Sequence, residues 1–106
     1  MSKECLEWAP FNLRAGVSEA ELLRAADALQ SEFLVKQPGF IRRQLLCAGD
    51  GSYVDVLWWS SPEAAHAAMA KVADSSACNA YFGQMQIDQA AAGAGVALLT
   101  LLRTYG

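Results

Sequence analysis

Charge is scarce in this sequence, and it is not concentrated anywhere. The 106 residues include eight Lys and Arg and eleven Asp and Glu, which leaves a net charge of -3. Because the chain has no basic patch, nucleic acid and anionic membrane surfaces are poor partners. No apolar run approaches the roughly 18 residues that a membrane span needs, and the N-terminus lacks a signal-peptide pattern. We therefore expect a cytoplasmic protein with no nucleic-acid or membrane partner.

Cysteine and histidine are also scarce: the chain has three cysteines and one histidine. Cys5, Cys47 and Cys78 are odd in number and far apart, so they form neither a disulfide framework nor a CxxC metal pair. We expect them to be buried, reduced thiols. His66 has no second histidine or carboxylate cluster at ligand spacing. We therefore expect no bound metal.

Apolar residues are abundant: 54% of the chain is hydrophobic and only 18% is charged. A chain of this length is expected to fold as one domain, residues 1–106, with a single core. So much apolar surface on a small domain predicts contact with a second copy of the chain.

The first half of the chain reads as strand, helix and hairpin. Residues 5–13 are apolar enough for a strand, with Pro10 at a bulge or an unpaired position. Ser18 and Glu21 form a capping box that begins a helix, which Pro38-Gly39 ends. Apolar residues in this helix recur at steps of four, three and four, which places them on one face. This predicted buried face consists of Leu22, Ala26, Leu29 and Phe33.

Residues 40–47 and 53–59 are predicted to form an antiparallel hairpin. If residues 49–52 are its loop, the numbers of facing residues sum to 101. One face, predicted to lie under the helices, then carries Ile41, Arg43, Leu45, Cys47, Val54, Val56 and Trp58; the other carries Phe40, Arg42, Gln44, Leu46, Asp55, Leu57 and Trp59. The second face mixes polar and large apolar groups, which suits a cavity or a subunit interface. A one-residue error in the loop would keep the alternation within each strand but change which alternating set of the second strand shares a face with which set of the first.

The second half of the chain begins with a helix that Ser61 caps. A short amphipathic turn or helix over 78–85, a mobile loop over 88–95 and a last strand over 96–103 follow. The helix that Ser61 caps is predicted to bury a stripe formed by Ala65, Ala68, Met69 and Val72. The element order predicts an α+β, ferredoxin-like βαββαβ fold with an antiparallel sheet. Two helices cover one sheet face, so the other face predicts a homodimer with facing sheets.

Three short phrases carry a resemblance to a known family. They are Gly16-Val17-Ser18-Glu19, Gln37-Pro38-Gly39-Phe40 and Trp59-Ser60-Ser61-Pro62-Glu63-Ala64. The chain resembles the antibiotic biosynthesis monooxygenase-like group of dimeric α/β-barrel proteins over almost its whole length. Members include cofactor-free monooxygenases of phenolic polyketides, haem-degrading enzymes and small proteins of unassigned role. The resemblance implies a dimeric α/β barrel and a pocket, between the sheet and the partner, for a small, largely apolar molecule.

The haem-degrading branch of that group is a poor match. Its members use a histidine late in or just after the second helix as iron ligand, and a tryptophan one helix stretch earlier. This chain has Asn79 and Ala80 near the first position and Ala67 or Ala68 at the second. Haem degradation is therefore not the expected activity.

Two residues are candidates for proton handling. His66 is the only side chain with an ordinary pKa near neutrality, and its alternative is a partly exposed surface residue. Asp55 in a central strand needs an arginine, a hydrogen bond or water. A structural salt bridge to Arg42 or Arg43 is the simpler explanation of Asp55, and a polar anchor for a ligand is the other.

Four residues are candidates for ligand binding. Trp59 faces Arg42 in the predicted register, which would allow a cation-π pair or a stacked aromatic ligand. The alternative for Trp59 is packing in the dimer interface. Asn12 and Tyr81 could add polar and aromatic lining, and their alternative is packing or capping.

The leading hypothesis is a homodimer that binds a small aromatic or apolar molecule between sheet and helices and resembles cofactor-independent monooxygenases. The substrate's own phenolate or enolate would react with oxygen, while His66 or Asp55 handles the proton and Trp59 stacks on the ring. The alternatives are a non-catalytic ligand-binding or stress-associated dimer, and an isomerase or cyclase on the same fold.

Overall fold

The computed structural model describes residues 3–86 and 96–106. Single turns of 3-10 helix at Leu34–Lys36 and Val72–Asp74 follow two of its helices. The strands and helices are, in chain order, β1 (Cys5–Phe11), α1 (Glu19–Glu32), β2 (Phe40–Cys47), β3 (Tyr53–Trp59), α2 (Pro62–Met69), α3 (Ser76–Phe82) and β4 (Ala97–Thr100).

The four strands form one sheet in the order β2-β3-β1-β4. Every hydrogen-bonded pair of neighbours in it is antiparallel. This order, with the helices between the strands along the chain, confirms the predicted α+β, ferredoxin-like architecture.

Serine side chains begin all three helices. Ser18, Ser61 and Ser75 each accept a hydrogen bond from the backbone amide three residues later, at 3.1 to 3.2 Å. The predicted buried face of α1 is confirmed, and its four residues are at most 6% exposed. On α2, Ala65 and Ala68 are buried as predicted, but Met69 is 37% exposed. The helices pack on one side of the sheet, and we call the sheet face beneath them the inner face.

Several boundaries differ from the prediction. β1 ends at Phe11, and Leu13 forms an isolated bridge with Met85 instead. β4 is shorter than residues 96–103. The predicted loop over 88–95 lies outside the described residues. Cys47 is exposed, so the expectation of buried thiols holds for Cys5 and Cys78 only.

The predicted hairpin register was wrong by one residue. Arg43 pairs with Leu57 and Cys47 with Tyr53, so facing numbers sum to 100 over most of the ladder. The loop is one residue shorter, since the Ala48 amide bonds to the Ser52 carbonyl at 2.8 Å. A further register shift between Phe40 and Arg42 pairs Phe40 with Trp59, whose numbers sum to 99. The two alternating sets of β3 therefore change places relative to those of β2.

The face turned away from the helices, which we call the outer face, is strongly apolar. Paired residues share a face, which gives three rows: Leu46, Val54 and Pro10; Gln44, Val56, Trp8 and Ala97; Arg42, Trp58, Leu6 and Leu99. Trp8, Leu46 and Leu99 are 42%, 48% and 51% exposed. The three helices of residues 3–86 lie on the inner face and leave these three side chains exposed.

Among residues 3–86 and 96–106, no helix combines the length and the apolar character that crossing a bilayer requires.

Candidate functional site

The corrected register places charged residues on the inner face. Asp55 and Arg43, which the predicted register separated, lie on this face together, and Trp59 joins them. This overturns the prediction that Asp55 and Trp59 share the face of Arg42. The side chains of Arg43 and Asp55 are only 6% and 7% exposed, so this is a buried ion pair.

Arg43 and Asp55 are joined by two hydrogen bonds. Arg43 Nε donates to Asp55 Oδ1 at 2.8 Å and Nη2 donates to Oδ2 at 3.0 Å. A third donor, Arg43 Nη1, bonds to the carbonyl of Ala26 on α1 at 3.0 Å. The planar guanidinium thus fixes the carboxylate and ties the sheet to α1.

Tyr81 completes this group from the helix layer. Its hydroxyl donates to Asp55 Oδ2 at 2.7 Å, and the Arg43 guanidinium carbon lies 4.9 Å from its ring centroid. Burial, followed by the negative charge of Asp55, raises the pKa of Tyr81 well above its ordinary value. Tyr81 is therefore a neutral hydrogen-bond donor here. We call Arg43, Asp55 and Tyr81 the inner cluster.

A second polar pair lies beside the inner cluster. Trp59 Nε1 donates to Glu7 Oε1 at 3.2 Å, and Trp59 is 1% exposed. The rings of Trp59 and Phe40 pack edge to face, with their centroids 5.6 Å apart. Burial raises the pKa of Glu7; the Trp59 hydrogen bond lowers it, and the charge of Asp55 raises it further. Glu7 is only partly buried, so this carboxylate is the more accessible of the two on the inner face.

The structure brings together three of the six predicted site residues. Asp55 and Tyr81 are hydrogen-bonded, and Trp59 is on the same face. The other three lie elsewhere. Arg42 is on the outer face, where its guanidinium carbon lies 4.7 Å from the Trp58 ring centroid, so the predicted pairing of Arg42 with Trp59 was wrong.

His66 and Asn12 are both exposed. His66 is on α2, and its backbone carbonyl bonds to the Ala70 amide at 3.1 Å. Asn12 follows β1, and its carbonyl accepts a bond from the Gln86 amide at 2.8 Å. Their proposed roles in proton transfer and ligand binding stay predictions.

Sequence reasoning missed Glu7 and gave Arg43 only a supporting role. The alternation of β1 could have found Glu7, because it lies two residues from buried Cys5 and shares its face. A carboxylate on the buried face of a predicted strand is a signal in its own right. Arg43 could not be chosen over Arg42 without the register.

The inner face is largely filled by side chains of the core. Leu22, Leu57, Trp59 and Tyr81 are each at most 6% exposed. Two surface pockets of about 430 and 410 Å³ lie away from the inner cluster; Lys36, Lys71 and Asp74 line the first, and Arg14 and Met85 the second. Within the described part of the chain, no group of three His, Cys, Asp or Glu could hold a metal ion.

Comparison with solved structures identifies the fold. SnoaB of Streptomyces nogalater, described as a cofactor-independent oxygenase, is 24% identical with a TM-score of 0.73, and the match covers 97% of each chain. A candidate antibiotic biosynthesis monooxygenase from Nitrosomonas europaea is 13% identical with a TM-score of 0.69, over 100% of this chain and 97% of that one. This chain has the antibiotic biosynthesis monooxygenase fold.

A third similar structure comes from Caulobacter crescentus. It is also a candidate antibiotic biosynthesis monooxygenase, 17% identical with a TM-score of 0.70, over 96% of this chain and 92% of that one. No family model and no curated protein matches the sequence. The predicted resemblance to antibiotic biosynthesis monooxygenase-like proteins is confirmed at the level of the fold.

Proposed function

We propose that this protein is a cytoplasmic homodimer that binds a small aromatic or apolar molecule and oxidises it with molecular oxygen without a cofactor. One observation carries the proposal: the fold matches that of SnoaB, a cofactor-independent oxygenase, over 97% of both chains. Fold alone does not determine activity, so the inner-face residues supply the rest of the argument.

In such a reaction the substrate is the electron donor. Loss of a hydroxyl or enol proton makes an electron-rich anion that reacts with oxygen. Oxidation of a ring CH₂ to C=O then balances with one O₂ as R₂CH₂ + O₂ → R₂C=O + H₂O. The protein has to bind the ring, exclude water and accept the first proton.

The inner face offers groups for these tasks. Tyr81 lies within it as a candidate for ligand lining, and Asp55, a predicted proton-handling residue, is held there by Arg43 and Tyr81. Because Trp59 is 1% exposed, it supports the site from beneath and does not stack openly on a ligand. His66 remains a candidate only for a ligand that reaches the exposed side of α2.

The outer face supports the homodimer. The helices cover the inner face only, and the outer face exposes a tryptophan and two leucines, Trp8, Leu46 and Leu99. A second sheet packed face to face would cover them and form the proposed dimeric α/β barrel.

A non-catalytic ligand-binding dimer is the second candidate. It is favoured by the filling of the inner face and by the full pairing of Asp55 with Arg43 and Tyr81. Groups paired in this way suit a structural role.

Oxygen uptake distinguishes the two candidates. Chelator-treated protein is mixed with a panel of phenols, anthrones and naphthols, and both oxygen consumption and product are measured against the spontaneous reaction without protein. We expect at least one substrate to consume oxygen in equal amount to the ketone formed. Binding of panel members without faster uptake would replace the oxygenase with the binding protein.

A further inference from the structure

Glu7 is the inner-face carboxylate that the proposed reaction leaves without a role. It lies on β1, and its cross-strand partners are Leu57 on β3 and Leu98 on β4. Leu57 in turn pairs with Arg43, so Glu7 is in the same row of the sheet as one member of the inner cluster. The Glu7 side chain is half-buried, whereas Asp55 is buried.

The two inner-face carboxylates have different partners. Asp55 receives two hydrogen bonds from a guanidinium and one from a phenol. These three donors occupy both oxygens of the Asp55 carboxylate, so neither oxygen is free to approach a substrate hydroxyl. Glu7 receives a bond from the neutral indole N–H of Trp59. Among the described residues, no cation forms an ion pair with Glu7.

Burial and the charge of Asp55 favour the protonated form of Glu7. Asp55 lies on the neighbouring strand β3 and is paired there with Arg43, while Cys5 lies on the same strand as Glu7 and Glu63 of α2 acts on Cys5. Burial raises the pKa of Glu7 from its ordinary value, the Trp59 hydrogen bond lowers it, and the charge of Asp55 raises it. A carboxylate with a raised pKa is a better proton acceptor.

We propose that Glu7 accepts the hydroxyl proton of an aromatic substrate, and that Trp59 positions the carboxylate by holding Oε1. The substrate O–H bond breaks, its electron pair stays on oxygen as an aryloxide, and the proton bonds to the carboxylate of Glu7. This inference rests on the proposed function and adds to it the group that generates the reactive anion.

The substitution Glu7→Gln tests the role of Glu7. Glutamine keeps an oxygen that accepts the Trp59 N–H bond but cannot take up a proton. For a weakly acidic phenol we expect kcat to fall about 10²-fold or more. For a phenol already ionised at the assay pH, the loss should be much smaller. Glu4→Gln, an exposed glutamate just before β1, is the matched control and should behave as the wild type.

A binding experiment separates this inference from the oxygenase itself. The probe is a hydroxyanthraquinone dye whose visible absorbance shifts when its hydroxyl ionises. We expect the wild type to bind the dye as the anion at pH values where the free dye is neutral. In Glu7→Gln, the bound dye should ionise no more readily than the free dye.

Each outcome of the two experiments has a distinct meaning. If both proteins ionise the bound dye equally, Glu7 is not the proton acceptor, whatever the oxygen assay gives. If the bound dye ionises in the wild type but not in Glu7→Gln, and no substrate consumes oxygen, the role of Glu7 as proton acceptor is supported and the proposed oxygenase activity is ruled out. If the wild type binds no member of a dye and phenol panel, both proposals fall.

Discussion

Arg43 should contribute far more to stability than an arginine usually does. It is buried, it pairs with Asp55 through two bonds and it holds a carbonyl of α1. Replacing it by methionine leaves a buried carboxylate without its cation. We expect Arg43→Met to lower the free energy of unfolding by about 3–5 kcal/mol in urea titrations.

The control for Arg43→Met is Arg24→Met on α1. Arg24 is exposed, so we expect a change within about 0.5 kcal/mol. Equal effects of the two substitutions would show that the buried pair is energetically unimportant.

Glu7 should make stability depend on pH in a direction opposite to most carboxylates. Its pKa is raised in the folded chain, so between the unfolded and folded values the folded state holds a proton that the unfolded state has released. Stability is therefore present at low pH and is lost as pH rises through the folded pKa. We expect Glu7→Gln to be more stable than the wild type above that pKa, and equal to it below the unfolded value of about 4.3.

Urea titrations of Glu7→Gln and the wild type at a series of pH values, at one protein concentration, measure this difference. A constant difference at every pH would mean that glutamine acts through packing and that the ionisation of Glu7 is not linked to folding.

Residue identities in the site were only partly predictable. The sequence showed that Asp55 in a central strand needs a partner, and the structure supplies Arg43 and Tyr81. Arg42 and Arg43 are adjacent, so choosing between them required the register of the hairpin. Tyr81 was named as ligand lining, but its contact with Asp55 depends on how α3 packs, which sequence periodicity does not specify.

At the level of elements, Gly39 connects the start of β2 to the start of α2. Its φ of +85° is a conformation that L residues rarely adopt, and an added Cβ would lie 2.6 Å from Ala64 Cβ and from Ser60 Oγ. The Ser60 amide also donates to the Gly39 carbonyl at 2.8 Å. These contacts leave no room for a side chain.

We therefore expect Gly39→Ala to destabilise the protein by on the order of 3 kcal/mol, from backbone strain and overpacking together. Gly51→Ala is the matched control: its φ is +86°, but nothing lies within 4 Å of the added Cβ, so it should show the backbone cost alone. Thermal melts of both variants measure the difference. If Gly51→Ala is as damaging as Gly39→Ala, the close approach at Gly39 is not responsible.

Elements were more predictable than their pairing. Serine caps and apolar spacing placed the starts of α1 and α2 and the buried face of α1 correctly, because these are local features. The predicted end of α1 at Pro38-Gly39 was too late, since the helix ends at Glu32 and a 3-10 turn follows at Leu34–Lys36. The hairpin register failed by one residue because the loop is shorter than predicted. Asp50 accepts bonds from the Ser52 amide and hydroxyl at 2.9 and 2.6 Å, which closes the shorter loop. One residue of slip moved Asp55 and Trp59 to the other face.

At the scale of the whole molecule, the outer face should determine the state of assembly. We expect the wild type to elute with twice the 11.4 kDa mass of one chain in size-exclusion chromatography with light scattering. Trp8→Asp should produce the monomer, because Trp8 is 42% exposed in the middle row of the outer face and a buried carboxylate there would have no partner.

Leu23→Asp is the control for Trp8→Asp. Leu23 is 47% exposed but lies on α1, away from the outer face, so the mass should stay that of the dimer. A wild-type monomer, or a Trp8→Asp dimer, would rule out the outer face as the interface.

The sheet order also has a consequence for the order of folding. β2 and β3 are neighbours along the chain, so their hairpin can form early, with little loss of loop entropy. β1 is made first, but it pairs with β3 on one side and with β4 on the other, where Cys5 meets Thr100 near the opposite end of the chain. Contacts of such long range slow folding and form late. A nascent chain on the ribosome therefore carries β1 with its second edge unpaired until the last residues of β4 have emerged.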